Sequence, residues 1–290
     1  MDQHAIEVSD LHKSYGDFEA VRGLSFHVAS GEVFGLLGPN GAGKTTTVEI
    51  LEGYRERSSG DVRILGKDPA QATRALREQV GIVLQSSGFY PRVTVREAVQ
   101  HWALLYPHPR DVDEVIGLVG LSGKEDARAG ELSGGQRRRL DLALALVGDP
   151  EVIFLDEPTT GFDPAARRTA WGVVQALKDM GKTVLLTTHY LEEAQTLSDR
   201  VAIIKDGVVV AEGPPSELGV GGDRYRVAYD QNGGRVEIET EDPTELLHRL
   251  TTEALGRGER LQGLTVSRPT LEEVYLELTD GAAETETEVE

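Results

Sequence analysis

Short, continuous apolar runs punctuate the chain. Val33-Phe34-Gly35-Leu36-Leu37 stops at a glycine-rich segment, and similar runs stand at Val80–Leu84, Val152–Leu155, Val184–Thr187 and Val201–Ile204. A run of this length, closed by turn residues, predicts a strand buried on both faces. Helical spacing separates most of them. Leu140, Ala143, Leu144 and Val147 recur at i, i+3, i+4 and i+7, as do Ala170, Val173, Val174 and Leu177. Asp163-Pro164 supplies a cap and a proline at the first helical position of the second set. Alternating strands and helices predict an α/β fold with a largely parallel sheet covered by helices. Half-apolar segments at Ala5–Ser9 and Leu24–Ala29 add short strands to a first block, residues 5–37. Residues 90–147 show helical patterns and no strand pattern, which predicts an inserted helical subdomain, about 86–148.

The texture changes at Gly219–Asp223. Tyr225–Tyr229 and Val236–Glu239 alternate around Asn232-Gly233-Gly234, a hairpin signal. Asp242 and Pro243 predict the start of a helix. A last helix presents Leu271, Val274, Tyr275 and Leu278 on one face, with Thr270 and Glu273 as a capping box. The expected organisation is a main domain over 1–220, a small α+β appendage over 221–279 and an acidic tail, 280–290. The tail has almost nothing to bury and is expected to be disordered.

Composition narrows the classes. The chain has 290 residues, 39% of them hydrophobic, enough for a sizeable core. A net charge of −19 argues against a nucleic-acid partner and against a protein lying directly on an anionic bilayer. No cysteine is present, which excludes disulfides, thiol catalysis and thiolate metal sites. No apolar run approaches the roughly 20 residues that span a bilayer, and the polar start Met1-Asp2-Gln3-His4 lacks a signal-peptide pattern. A cytoplasmic chain is expected, and any membrane role requires a partner.

Candidate chemistry begins where the first buried run ends. Gly38-Pro39-Asn40-Gly41-Ala42-Gly43-Lys44-Thr45 fits GxxxxGK[ST] without mismatch, between a strand pattern and a helix pattern. Glycines let backbone N–H groups turn toward phosphates, and the following helix points its positive end at the same anion. Lys44 is then expected to pair with phosphate and the Thr45 hydroxyl to ligate magnesium. A glycine-rich turn that binds nothing would leave both residues unexplained. The motif alone indicates a nucleoside triphosphate, since kinases, switch GTPases and motor ATPases share it. Val152–Leu155 ends in Asp156-Glu157, two carboxylates at the ligand-binding end of a sheet strand. Asp156 suits magnesium. Glu157 is left to orient or deprotonate water, if successive strand residues point to opposite faces.

Leu132-Ser133-Gly134-Gly135-Gln136, standing before Asp156 by one helix and a turn, resembles the signature of ATP-binding-cassette ATPases. The family's other motifs appear in order over residues 5 to about 215. Gln85 resembles the glutamine loop, Gly161-Phe162-Asp163 the loop after the catalytic glutamate, His189 the switch histidine, and Tyr15 the aromatic that stacks on adenine. Phe162 stands where leucine is usual. The resemblance implies a P-loop NTPase fold with an N-terminal antiparallel β subdomain. It implies ATP and Mg2+ as cofactors, with Thr46 joining residues 38–45 at the nucleotide, Glu157, His189 and Gln85 as catalytic residues, and Thr45, Gln85 and Asp156 around the metal. It also implies a homodimer in which Ser133, Gly134, Gly135, Gln136 and Asp163 of one copy close over ATP held by the other. Ser133–Gly135, opening a helix, reads physically as a second anion site whose N–H groups and hydroxyl face outward. Arg137, Arg138 and Arg139 read as a solvated face with phosphate-adjacent charge. The other histidines, His4, His12, His27, His101, His108 and His248, have no such context.

The last helix, 268–279, resembles the C-terminal element of ATPases from daunorubicin-resistance-type exporters, which act on a separate membrane permease. That resemblance implies export of a drug, antibiotic, lipid or polysaccharide, with the chain peripheral on the inner membrane face. The alternatives are an importer ATPase with a regulatory extension, usually longer and all-β, and a soluble cassette ATPase acting on ribosomes or DNA. The single cassette, the lack of a long coiled coil and the acidic charge disfavour the last.

Overall fold

The computed structural model describes residues 4–71, 73–83, 91–218, 225–231, 234–267 and 271–280. It divides into two units, Met1–Val210 and Ala211–Glu290.

The first unit opens with an antiparallel hairpin. β1 (His4–Tyr15) and β2 (Phe18–Ala29) place Tyr15 opposite Phe18 across Gly16-Asp17. Both strands outrun the half-apolar segments in the sequence, because one side of the pair faces water. Ile6 and Val8 are buried while Glu7 and Ser9 are exposed. A register shift follows Val8, and Asp10 has φ 49°, so Leu11 regains the buried face three residues on. After β3 (Val33–Leu37) and α1 (Lys44–Leu51), β4 (Ser59–Ile64) returns to pair with β1. The small sheet therefore has the order β2-β1-β4 and draws one strand from outside residues 5–37.

The remaining elements build the main sheet and its covering. They are α2 (Arg74–Arg77), β5 (Val80–Val83), α3 (Val95–Ala103), α4 (Val112–Leu118), α5 (Gly134–Leu146) and β6 (Val152–Asp156). Then follow α6 (Pro164–Asp179), β7 (Thr183–Thr188), α7 (Leu191–Leu197), β8 (Arg200–Lys205) and β9 (Val208–Gly213). The six strands lie in the order β5-β6-β7-β3-β8-β9, the first five of them in parallel register. Among the described residues between β5 and β6 there are helices and no strand. The two-residue turn Asp206-Gly207, with φ of 49° and 78°, joins β8 to β9 as a type I′ turn would.

Both faces of the sheet are packed. Phe34, Leu36, Val152 and Phe154 point into a core shared with the small antiparallel sheet, where Phe26 stacks on Phe34 at 5.3 Å. Ile153, Leu155, Val184 and Leu186 point into the core under the helices. Full burial of each such side chain contributes about 1.5–3 kcal/mol. The register has one consequence for function: Leu37 pairs with Thr188 and Asp156 with Thr187, so three strand ends meet on one edge.

The second unit contains α8 (Pro215–Leu218), β10 (Tyr225–Gln231), β11 (Gly234–Thr240), α9 (Pro243–Gly256), β12 (Gln262–Ser267) and α10 (Leu271–Asp280). Its sheet is antiparallel in the order β11-β10-β12. Asp242 caps α9, accepting from the Thr244 and Glu245 N–H groups. β12 is not among the strands expected from the sequence, although Leu264-Thr265-Val266-Ser267 alternates, and all six of its positions are exposed. In α10, Leu271 is buried and Tyr275 half-buried. Asn232, Gly233, Thr270, residues 281–290 and the side chains of Val274 and Leu278 lie outside the described residues.

Candidate functional site

The loop after β3 is shaped by its glycines. Gly41 and Gly43 have φ of 83° and 100°, and a Cβ on Gly43 would stand 2.6 Å from the Ala20 carbonyl oxygen. α1 begins at Lys44, whose buried Nζ donates to the carbonyls of Gly38 at 2.8 Å and Pro39 at 3.0 Å. Burial pushes the Lys44 pKa down, against the nearby charges of Glu157 and Asp156. Thr45 is exposed and Thr46 half-buried. Asn40, Gly41, Lys44, Thr45 and Thr46 line one cleft with Tyr15 and Glu157. Tyr15 is exposed there, its ring centroid 5.1 Å from Lys13 Nζ and 5.3 Å from Arg55 Cζ. A helix N-terminus, a left-handed glycine turn and a buried ammonium form an anion cradle.

Asp156 ends β6 and is buried; Thr187 Oγ1 donates to its Oδ1 at 2.5 Å. Burial raises the Asp156 pKa, while the Thr187 bond opposes the rise. Glu157 has φ 46° and lies past the strand. The two carboxylates are therefore separated by a left-handed turn, and not by the alternation of strand faces that the sequence suggests. Glu157 Oε1 stands 3.3 Å from His189 Nδ1 and 3.9 Å from Lys44 Nζ, and Thr160 Oγ1 donates to Oε2 at 3.1 Å. Thr45 and Asp156 offer hydroxyl and carboxylate oxygen, donors that suit Mg2+. Gln85, the third expected metal contact, lies outside the described residues.

Ser133 is the N-cap of α5. Its N–H donates to Gln136 Oε1 at 2.9 Å, and its Oγ accepts from the Gln136 N–H at 3.3 Å. The hydroxyl oxygen thus turns back on its own helix, a correction to the expectation of an outward-facing group. The side-chain oxygen of Asp163 accepts from the Ala165 and Ala166 N–H groups at 2.9 and 2.8 Å and caps α6. Ser133, Gly134, Gly135 and Asp163 line a second cleft of about 820 Å³, and Glu157 lines it too. Glu157 therefore belongs to both clefts of one chain. The expected solvated arginine face is also corrected. Arg138 is half-buried and donates to the Asp156 carbonyl at 2.8 Å, and Arg139 donates to the Gly120 carbonyl at 2.7 Å. Only Arg137 of the three is exposed.

The sequence profile of the ABC transporter family matches residues 21–160. A Nod factor export ATP-binding protein I from Paraburkholderia xenovorans (strain LB400) is 44% identical over 255 residues, covering 86% of this chain and 81% of that protein. The chain belongs to the ABC transporter family. A second Nod factor export ATP-binding protein I, from Burkholderia pseudomallei (strain K96243), is 40% identical over 301 residues, covering 94% of this chain and 96% of its own. The ADP conformation of MJ1267, an ATP-binding cassette of an ABC transporter, superposes with a TM-score of 0.66. It is 26% identical and covers 73% of this chain and 91% of its own. The chain is thus an ATP-binding subunit of an ABC transporter with a P-loop NTPase fold, and its cassette implies ATP hydrolysis.

Several residues of the ABC site escape a reading by motif. Thr187 touches Asp156 and also accepts from the Glu157 N–H at 3.0 Å. Fully buried Glu193 accepts from Thr159 Oγ1 at 2.7 Å and Trp171 Nε1 at 3.0 Å, tying α7 and α6 to the loop after Glu157. The one available signal was the pair Thr187-Thr188, two hydroxyls closing an otherwise aliphatic run.

Proposed function

We propose that this chain hydrolyses ATP to power export of a drug, antibiotic, lipid or polysaccharide through a separate integral-membrane permease. One observation carries the catalytic half: a single carboxylate, Glu157, within 3.9 Å of the phosphate-loop lysine and 3.3 Å of His189. The export half is supported by relatives named as export ATP-binding proteins. The daunorubicin-resistance-type assignment rests on the last helix alone.

In this reading, Tyr15 stacks on adenine and residues 38–46 hold the phosphates. Lys44 exchanges its carbonyl partners for phosphate oxygens. Mg2+, when bound, neutralises phosphate charge, and Thr45, Asp156 and Gln85 hold it. Glu157 takes a proton from the attacking water, and His189 keeps that carboxylate in place. Ser133, Gly134, Gly135, Gln136 and Asp163 of a second copy complete the site, so the working unit is a homodimer. The cassette occupies residues 1–220, and 221–279 forms a separate small domain. No nucleic acid is required, in keeping with the net charge of −19. Among the described residues no helix is long and apolar enough to cross a membrane, so the permease holds the chain at the inner face.

Membranes from cells expressing the chain at native level, extracted with mild detergent, test the assignment. A multi-spanning protein recovered in near-equal amount supports it. Recovery with ribosomes or DNA contradicts it and leaves the ATPase chemistry standing.

A further inference from the structure

One peptide plane in the site is held at both ends. The bond between Asp156 and Glu157 presents its carbonyl to Arg138 Nη2 at 2.8 Å and its N–H to Thr187 Oγ1 at 3.0 Å. Glu157 has φ 46°, a region that a residue with a side chain occupies when its surroundings hold it there. These two bonds fix the peptide from which Glu157 departs, while Thr160 Oγ1 and His189 Nδ1 contact the carboxylate itself. The two bonds come from different elements. Thr187 lies in β7, inside the sheet. Arg138 lies in α5, five residues beyond Ser133, which caps that helix. Arg138 also lines the cleft that contains Ser133, Gly135 and Glu157.

We propose that Arg138 is a positioning residue that passes contact at the Ser133 end of α5 to Glu157. A displacement of the first turn of α5 moves the guanidinium, while Thr187 holds the other end of the peptide. The plane tilts and the Glu157 side chain swings with it. Occupancy of the signature end by nucleotide is thereby linked to the aim of the base. The proposal rests on the reading that Glu157 activates water and that Ser133–Gly135 meets nucleotide.

The test uses the full chain with its co-purifying membrane partner, and compares Arg138→Met, Arg138→Lys, Ser133→Ala and the double variant Ser133→Ala/Arg138→Met. Misplacing a base by a fraction of an ångström up to one lowers kcat by about 10- to 100-fold for Arg138→Met. Its KM and ATP affinity stay within about two-fold, because the phosphate loop is untouched. The losses in the double variant do not multiply, since both substitutions break one chain of contacts. A raised KM with unchanged kcat, or losses that multiply, overturns the proposal. If Arg138→Met does not fold, Arg138→Lys, which keeps charge and loses the guanidinium fork, is carried through the same comparisons. A Glu157→Gln control with near-normal turnover would sink the site reading itself. A slow Glu157→Gln beside an unimpaired Arg138→Met would sink only this inference.

Discussion

Glu52 offers a pH test of how the site is built. It follows α1 as the C-cap residue, and its buried Oε1 has no hydrogen-bond partner among the described residues. Burial pushes its carboxyl up from 4.5 to about 8, with the charges of Asp156 and Glu49 adding to the rise. Below pH 4.5 both folded and unfolded chains hold the proton. Between 4.5 and about 8 the unfolded chain has released it and the folded chain keeps it, so stability falls as pH rises. Above about 8 this contribution is gone. At about 1.4 kcal/mol for each pH unit, its ceiling is about 5 kcal/mol. Glu52→Gln keeps the shape and cannot ionise. The variant should therefore match wild type near pH 4.5 and exceed it by about 2–5 kcal/mol at pH 9, a gain of roughly 5 °C or more in Tm. Thermal melts of both proteins at matched pH cancel the other titrating groups. A difference that does not grow with pH would refute the reasoning. A variant less stable than wild type at pH 9 would refute it as well. Burial that holds the proton on Glu52 also spares Asp156, already beside Glu157, a further negative charge.

Two further outcomes follow from the geometry. Lys44→Ala removes the buried ammonium, and losing charge-assisted hydrogen bonds worth about 1.5–3 kcal/mol should weaken ATP binding at least about 10-fold by calorimetry; unchanged affinity would reject the cradle role. Asp163→Ala deletes the cap that accepts from the Ala165 and Ala166 N–H groups. It should cost about 1 kcal/mol in urea denaturation, most of it recovered in Asp163→Asn.

The sequence made the sheet and the phosphate loop legible because both write periodic or motif-length signals. Val33–Leu37 and Val152–Asp156 are buried at every position, as unbroken apolar runs require. Asp163-Pro164 opens α6 where the cap signal stands. What was not legible depends on partners distant in sequence. Arg138 reads as one of three surface arginines until β6 ends beside it. The left-handed turn at Glu157 leaves no trace in a run that looks like a continuing strand end. β12 alternates only briefly, Leu264-Thr265-Val266-Ser267 after a glycine, and every position is exposed, so no buried face marks it out.

Steady-state ATP hydrolysis by Glu157→Gln, with ATP binding measured on the same preparation, tests the central claim most directly. The account predicts binding equal to wild type and turnover lowered by about 10²- to 10⁴-fold, the range for losing a general base. Turnover near that of wild type would contradict it.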